Sequence, residues 1–308
     1  MNSTSLKNTL ITIVGPTAIG KTALSIQLAN HFHADIISCD SRQFYKEMSI
    51  GTAVPNKEEL AAVKHHFIQN RSVFEDYNVG AFERDALQTL DQLFLKNPIQ
   101  IMVGGSGLYV DAVLKGLDYF PEVDTKIRTE LNLQLEKEGI KKLQEKLKKL
   151  DLETYNTITI DNPQRLIRAL EICIGTGIPY STFKNKPKTP RNFNSIKIGL
   201  NADRDIIYSR INQRVDIMIE NGLLEEANKL HQYKNLNSLQ TVGYRELFSF
   251  FEGVFTKEFA ISEIKKNTRR FAKRQLTWFK KDTETLWYDF QTEKNEIITK
   301  ISDKINSF

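Results

Sequence analysis

Short apolar runs alternate along the chain with longer segments whose apolar residues recur at helical spacing. Four such runs lie at positions 10–14 (LITIV), 34–39 (ADIISC), 99–103 (IQIMV) and 196–200 (IKIGL). Helix-like stretches separate the first three, and near-continuous apolar strands joined through helices are typical of a parallel sheet covered on both faces. The pattern therefore predicts an α/β fold, with a parallel sheet flanked by helices.

A charged segment with helical spacing interrupts this pattern between the third and fourth runs. It ends in the polar, proline-containing stretch FKNKPKTPRNF before the sheet resumes. We predict that residues 119–194 form a small inserted helical domain and that residues 1–118 and 195–308 form the catalytic core. A further long helix is expected from DRDIIYSRINQRVDIMIENG, which starts with acidic residues and ends at Gly222.

Composition narrows the class of protein only moderately. The 308 residues carry a net charge of +5, and 40% of them are hydrophobic, which is ordinary for a globular core. Near the N-terminus, the apolar run at 10–14 is too short for a signal peptide or a membrane span, so we expect a cytoplasmic protein without membrane contact. We also expect a monomer. Cys39 and Cys173 stand alone in apolar contexts and are interpreted as core residues, with no zinc site.

The octapeptide GPTAIGKT matches the phosphate-binding pattern G-x-x-x-x-G-K-[ST] between a predicted strand and a predicted helix. Its residues are Gly15, Pro16, Thr17, Ala18, Ile19, Gly20, Lys21 and Thr22. In this geometry backbone N–H groups and a helix N-terminus face the anion, Lys21 supplies a charge and the Thr22 hydroxyl can ligate Mg²⁺. A phosphorylated ligand is predicted, but ATPases and kinases usually carry an Asp after a later strand, and here IQIMV runs into GGSG.

Asp40 and Ser106 follow two predicted strands whose carboxyl ends meet the loop at one edge of the sheet. Asp40 is interpreted as a Mg²⁺ ligand, a general base or a helix N-cap. Its position at this edge of the sheet favours a catalytic role over the N-cap. Ser106 is a candidate site residue or the hydroxyl cap of a tight turn.

Three arginines are candidates for anion contact. Arg210 and Arg214 are one helical turn apart, so either they point to solvent or an anion neutralises them. Arg245 lies in the first turn of a helix predicted to open near Gly243, where a cation opposes the helix dipole unless a phosphate is close by.

Residues 265–281 (KKNTRRFAKRQLTWFKK) contain eight Lys and Arg and no acidic residue, so this stretch is more positive than the whole chain. The aromatic residues Phe271, Trp278 and Phe279 are interleaved with the charges. A basic run is often only a solvated face, but this combination favours binding to the phosphates of a nucleic acid.

Seven segments together resemble the bacterial tRNA dimethylallyltransferase (tRNA isopentenyltransferase) family, in order from Gly15 to Lys281. They are GPTAIGKT, DIISCDSRQFYKEMSIGTAVP, IMVGGSGLYVDAV, NPQRLIRALE, YSRINQRVDIMIENGLLEE, LQTVGYREL and RRFAKRQLTWFKK. The resemblance implies a P-loop NTPase-like fold in which the loop binds the diphosphate of dimethylallyl diphosphate with Mg²⁺. It also implies transfer of the prenyl group to N6 of the adenosine just 3′ of the tRNA anticodon.

The same resemblance assigns roles to individual residues. Asp40 corresponds to the general base, Lys21 and Thr22 to the diphosphate and Mg²⁺ contacts, and Arg214 to the arginine that stabilises the leaving diphosphate, with Arg210 the weaker candidate. The positions used against tRNA are Asp40, Ser41, Arg42, Gln43, Ser106, Arg128, Gln164, Arg165, Leu166, Ile167, Arg168, Gln240, Thr241, Val242, Gly243, Tyr244 and Arg245. The insert resembles the domain that grips the anticodon stem-loop. The turn reads Gly-Gly-Ser where the family often has Gly-Gly-Thr, and the C-terminal zinc finger of some relatives has no counterpart.

Two alternatives are compatible with part of this pattern. In a P-loop kinase of a nucleoside or small metabolite, Asp40 would activate a hydroxyl and the insert would be a lid, but the basic segment is left unexplained. In an RNA-binding switch that hydrolyses nucleotide slowly, an Asp would be expected at the strand end that instead carries GGSG.

Overall fold

The structure, a computed structural model, describes residues 7–308, so residues 1–6 of the predicted core lie outside the described part. Its sheet has six parallel strands in the order β3-β2-β4-β1-β5-β6. The strands are β1 (Thr9–Val14), β2 (Ile36–Ser38), β3 (His65–His66), β4 (Ile99–Val103), β5 (Asn194–Asn201) and β6 (Leu286–Asp289). The predicted α/β class with a parallel sheet is confirmed.

Helices connect the strands and cover the sheet. They are α1 (Lys21–Phe32), α2 (Lys57–Ala62), α3 (Val79–Phe94), α4 (Gly107–Lys115), α5 (Thr125–Glu138), α6 (Ile140–Leu150), α7 (Leu152–Thr157), α8 (Pro163–Thr176), α9 (Arg204–Glu220), α10 (Leu223–Leu230), α11 (Tyr244–Phe251), α12 (Lys257–Phe279) and α13 (Lys294–Asn306). The long helix expected after Ala202 is α9, and the helix expected near Gly243 is α11.

β1 illustrates why the apolar runs form central strands. Ile11 and Ile13 pack into a cluster that includes side chains of α1, α9 and α13, whereas Leu10 and Val14 pack into a second cluster with α3 and α4. All four side chains are fully buried, because successive residues of a strand point to opposite faces and both faces are covered.

Two strands at the edges of the sheet have no counterpart in the prediction. β3 is only two histidines long, and β6 (LWYD) is partly exposed. Neither carries the continuous apolar run that identifies a strand buried on both faces, so the apolar pattern cannot reveal them.

The described residues divide into two compact units, one ending at Lys115 and resuming at Arg191, and the other spanning Gly116–Pro190. The predicted insert, 119–194, differs by a few residues at each end. Arg191 belongs to the first unit because its guanidinium donates to the carbonyl oxygens of Val113 and Ala112 and pairs with Glu83.

The second unit has its own core, formed by apolar side chains of α5, α6 and α8. Leu131, Leu143, Leu147 and Leu170 are at most 2% exposed there. Helical spacing of leucines among charges is therefore sufficient to give this unit an interior of its own.

Candidate active site

The Gly15–Thr22 loop joins β1 to α1, as the sequence predicts. Gly15 and Gly20 have φ of 145° and 110°, in the region that favours glycine, and a Cβ on Gly15 would lie 2.5 Å from the Leu200 carbonyl oxygen. Gly20 is the N-cap of α1 and provides no side-chain cap, so N–H groups of the first turn stay available to a ligand. A helix start of this kind is suited to an anion.

Gln275, on α12, connects the loop to the Gly-Gly-Ser turn. Its Oε1 accepts from Thr17 N at 2.9 Å, and its Nε2 donates to the Gly105 carbonyl oxygen at 2.9 Å. Gln275 is 5% exposed and shares the buried face of α12 with Ala272 and Phe279. The sequence reasoning missed Gln275, and a polar residue on an apolar helix face is the feature that could have identified it.

Lys21 and Arg214 place two positive charges beside the loop, and the acidic Asp40 is close enough to act on both. The Lys21 Nζ donates to the Pro16 carbonyl oxygen at 2.8 Å. Burial, reinforced by the charge of Arg214, lowers the pKa of Lys21 to about 8. Burial and the neighbouring Arg210 lower the pKa of Arg214 as well. A bound anion would relieve this repulsion.

Arg210 and Arg214 have different surroundings although they are one turn apart on α9. Arg214 is partly buried and lines the cavities described below. Arg210 donates through Nε to the carbonyl oxygen of Ala18 at 2.8 Å and lies over the Phe290 ring. Arg210 therefore supports the loop from outside, whereas Arg214 is accessible to a ligand.

Asp40 follows β2 and reaches the carboxyl edge of the sheet close to the loop. Burial raises the pKa of Asp40, an effect opposed by the Arg42 N–H and by Lys21. Its Oδ1 accepts from Arg42 N at 3.0 Å, so the carboxylate also stabilises the local turn. The turn-forming and chemical interpretations of Asp40 are thus compatible.

The Gly-Gly-Ser turn after β4 packs against the residues after β2. A Cβ on Gly104 would lie 2.6 Å from the Cys39 Sγ, so this position requires glycine. The Ser106 Oγ accepts from Ser41 N at 3.1 Å and contacts the Ser41 hydroxyl at 3.1 Å. Ser106 therefore connects the segment after β4 to the segment after β2 through hydrogen bonds.

Two cavities, of about 490 and 660 Å³, meet at this edge of the sheet. The larger one contains the residues of the phosphate loop from Thr17 to Thr22, and the smaller one contains side chains of α9, α11 and α12. The residues that line both are Thr17, Asp40, Thr52, Ala53, Arg214 and Met218. Asp40 and Arg214 are thus accessible from either side.

Most of the core residues expected to contact tRNA line these cavities. The smaller one is lined by Asp40, Ser41, Arg42, Ser106, Gln240, Thr241, Val242, Gly243 and Arg245, and Gln43 lines the larger one. Tyr244 is an exception: its side chain is fully buried and its hydroxyl donates to Glu226, so its assignment as a tRNA contact is wrong for the side chain.

The candidate tRNA residues of the insert separate into exposed and buried groups. Gln164 and Arg165 are exposed in the first turn of α8. Arg128 and Arg168, both partly exposed, pair with the buried Glu171 at 2.7 and 3.0 Å. The side chains of Leu166 and Ile167 are 0% and 4% exposed in the insert core, so their assignment as tRNA contacts is wrong for the side chains.

The basic segment forms the C-terminal part of α12, and its charges are not equivalent. Four of them have hydrogen-bonding or ionic partners: Lys265 pairs with Asp216, Lys266 with Glu263, Arg269 bonds to Asn212 and Arg270 to Asn267. Arg270, Lys273 and Arg274 are exposed. Phe271 and Trp278 line the smaller cavity, whereas Phe279 is 2% exposed and belongs to the core.

Cys39 and Cys173 are free and buried, as the sequence predicts for core residues. Within residues 7–308 there is no cluster of three or more His, Cys, Asp or Glu side chains arranged to hold a metal. No helix in the same range combines the length and apolar character needed to span a membrane.

Comparison with known proteins relates this site to one family. The family model described as IPP transferase matches residues 43–282. The chain is 62% identical to a tRNA dimethylallyltransferase of Flavobacterium johnsoniae, over 97% of this chain and 98% of that protein. The crystal structure of the tRNA isopentenylpyrophosphate transferase of Bacillus halodurans has a TM-score of 0.73 at 37% identity, with 98% of each chain covered. A eukaryotic dimethylallyltransferase captured acting on tRNA has a TM-score of 0.81 at 26% identity, covering 98% of this chain and 80% of that one. The chain belongs to the IPP transferase family.

Proposed function

We propose that this chain transfers a dimethylallyl group from dimethylallyl diphosphate to N6 of the adenosine 3′ of the anticodon in tRNA. The observation that carries the proposal is that the phosphate loop, Asp40 and Arg214 line the same cavity. The names of the relatives at high identity support the same activity. None of the relatives reported above is named as a kinase, and no feature of the described site favours that alternative.

The diphosphate binds in the Gly15–Thr22 loop, against the N-terminus of α1. Lys21 and Arg214 supply the positive charges, and the charge of Arg214 already contributes to lowering the pKa of Lys21 in the free protein. Negative charge that develops on the leaving diphosphate is stabilised by these groups, which are in place before the reaction begins.

The adenosine N6 attacks C1 of the prenyl group from the side opposite the departing diphosphate. The N–C bond forms as the C–O bond breaks, and the electron pair of the C–O bond leaves with the diphosphate. The N6 proton passes to the Asp40 carboxylate. A raised pKa makes this carboxylate a stronger base than an ordinary Asp, which suits removal of a proton from a weakly nucleophilic amine.

Mg²⁺ is part of the proposal as the partner of the diphosphate. Mg²⁺ binds proteins through few oxygen ligands together with substrate phosphates, so it needs no dedicated cluster of acidic residues. The Thr22 hydroxyl lines the larger cavity and is a suitable oxygen donor, which leaves the Asp40 carboxylate free to act as the base. When bound, the ion would neutralise charge on the diphosphate.

The tRNA is bound through its anticodon stem-loop. In the core, the smaller cavity receives the flipped adenosine, and the exposed Arg270, Lys273 and Arg274 of α12 contact backbone phosphates. In the insert, predicted from the sequence as residues 119–194, Arg128, Gln164, Arg165 and Arg168 contact the stem-loop. We propose that the chain works as a monomer in the cytoplasm, where it meets tRNA.

The test combines an assay with a binding measurement. Purified protein should transfer the prenyl group from dimethylallyl diphosphate to unmodified tRNA in the presence of Mg²⁺. Dimethylallyl diphosphate at 100 times its Kd should add about 2.7 kcal/mol to the free energy of unfolding. ATP should protect much less, and Lys21→Ala should abolish the protection. Protection by ATP alone, with phosphoryl transfer to a small acceptor, would favour the kinase instead.

A further inference from the structure

The Glu226 carboxylate, on α10, accepts hydrogen bonds from three successive backbone N–H groups. Ser49 N donates to Oε2 at 2.9 Å, Ile50 N to Oε2 at 2.8 Å and Gly51 N to Oε1 at 2.9 Å. The Tyr244 hydroxyl donates to Oε1 at 2.6 Å. Successive N–H groups that converge in this way form the kind of concavity that binds anions, and here the anion is supplied by the chain itself.

The loop held by Glu226 also fits closely against α11. A Cβ on Gly51 would lie 2.6 to 2.7 Å from three atoms at the hydroxyl end of the Tyr244 side chain. Tyr244 is itself fully buried. The backbone at Gly51 is therefore fixed by packing on one side and by the carboxylate on the other.

The far end of the same loop is bonded to the segment that carries Asp40. The Gln43 Nε2 donates to the carbonyl oxygens of Thr52 at 3.2 Å and Ala53 at 2.9 Å. The Ser38 hydroxyl donates to the Gln43 Oε1 at 3.2 Å, and its oxygen accepts from Asp40 N at 3.4 Å. A continuous set of hydrogen bonds thus connects the loop to the end of β2.

Thr52 and Ala53 line both cavities, so the position of this loop affects the space available to both substrates. Glu226 is absent from the described residues that line either cavity. Whatever it contributes to the reaction must therefore pass through the residues it bonds to, which are those of the loop and Tyr244.

We propose that Glu226 is a positioning residue for prenyl transfer. Its carboxylate holds residues 49–53 in one conformation, and the loop in turn fixes Gln43 and the segment that carries Asp40. This inference rests on the proposed function and identifies a residue outside the phosphate loop and the tRNA-contacting segments.

The decisive variant is Glu226→Gln, which keeps the shape but replaces one acceptor oxygen by an NH₂ group that faces N–H donors. We expect kcat to fall about 10- to 100-fold, since a displacement of about 1 Å near the reacting atoms costs about 100-fold. The Kd of dimethylallyl diphosphate should change by a smaller factor than kcat, because the phosphate loop itself is untouched although most of residues 49–53 line the same cavity. In the protein without substrate, the backbone amides of Ser49, Ile50 and Gly51 should exchange with solvent faster.

Glu225→Gln is the matched control, because Glu225 is the exposed neighbour on the same helix and should leave kcat and exchange unchanged. Tyr244→Phe removes one of the four donors and should give a smaller loss of kcat in the same direction. Wild-type kcat in Glu226→Gln, or unchanged exchange of the three amides, would overturn the inference. Exchange is measured without substrate, so it tests whether Glu226 holds the backbone of residues 49–51 even if the wild-type protein transfers no prenyl group. Absence of transfer by the wild-type protein would count against the proposed function alone.

Discussion

The Arg210 guanidinium donates through Nε to the carbonyl oxygen of Ala18, 2.8 Å away, and so supports the phosphate loop from its outer side. Ala18 has φ of 66°, which is uncommon for a residue other than glycine. Arg210 thus stabilises a loop conformation, whereas Arg214, one turn along α9, lines both cavities. The two arginines should have separable effects on the reaction.

Arg214→Ala should lower kcat by about 100- to 1,000-fold, because it removes a charge that stabilises the departing diphosphate. Arg210→Ala should lower kcat by less than about tenfold and mainly weaken binding of dimethylallyl diphosphate, through a looser loop. Steady-state kinetics of both variants provide the check. Equal losses of kcat would contradict the distinction between them.

Asp40→Asn should abolish prenyl transfer, with a loss of about 100- to 10,000-fold, while tRNA binding stays nearly intact. The amide keeps the size of the side chain and the acceptor for Arg42 N but cannot take the N6 proton. Single-turnover transfer and tRNA affinity should be measured side by side. Activity within threefold of wild type would exclude Asp40 as the base.

The pH dependence of transfer should reflect the raised pKa of Asp40. The carboxylate acts as a base only when ionised, so the rate should fall as the pH drops through this pKa. The acid limb of kcat/KM in the wild-type protein should therefore lie above the ordinary value of 3.8. The residual rate of Asp40→Asn should lack this limb, and an identical limb in the variant would assign it to another group.

Binding of dimethylallyl diphosphate should weaken as the pH rises through about 8, the pKa of Lys21 in the free protein. Only the protonated amine attracts the diphosphate, so the affinity should decrease by up to about tenfold per pH unit above that value. Lys21→Arg is the matched control, since a guanidinium stays charged to beyond about pH 12. Calorimetric titration across this range tests the difference, and parallel pH profiles for the two proteins would disprove it.

Arg270→Gln and Lys273→Gln should each weaken tRNA binding and flatten its dependence on salt. Removing one cation that neutralises a phosphate should lower the slope of log K against log salt by about 0.7 to 0.9. Lys96→Gln, an exposed lysine in the turn between α3 and β4, serves as the control. Slopes that match wild type in all three variants would show that the basic residues of α12 face solvent and do not bind tRNA phosphates.

The sequence alone was sufficient to predict the α/β class, the phosphate loop and the family. Apolar runs such as LITIV are buried on both faces of the sheet, so an unbroken apolar run in the sequence directly indicates a central strand. The loop was predictable because glycines at positions 15 and 20 allow backbone conformations that other residues rarely adopt. The positions of Asp40 and Ser106 followed from one rule, that parallel strands end at a common edge.

Only the tertiary structure decided which side chains at these positions are accessible. Leu166, Ile167 and Tyr244 stand among polar residues in the sequence, but packing buries them, and burial depends on contacts distant along the chain. The contacts of Gln275 with Thr17 and Gly105, and of Glu226 with residues 49–51, join segments more than a hundred residues apart. A local pattern records the environment of a residue but not the identity of its distant partner, so these links became visible only when the chain was folded.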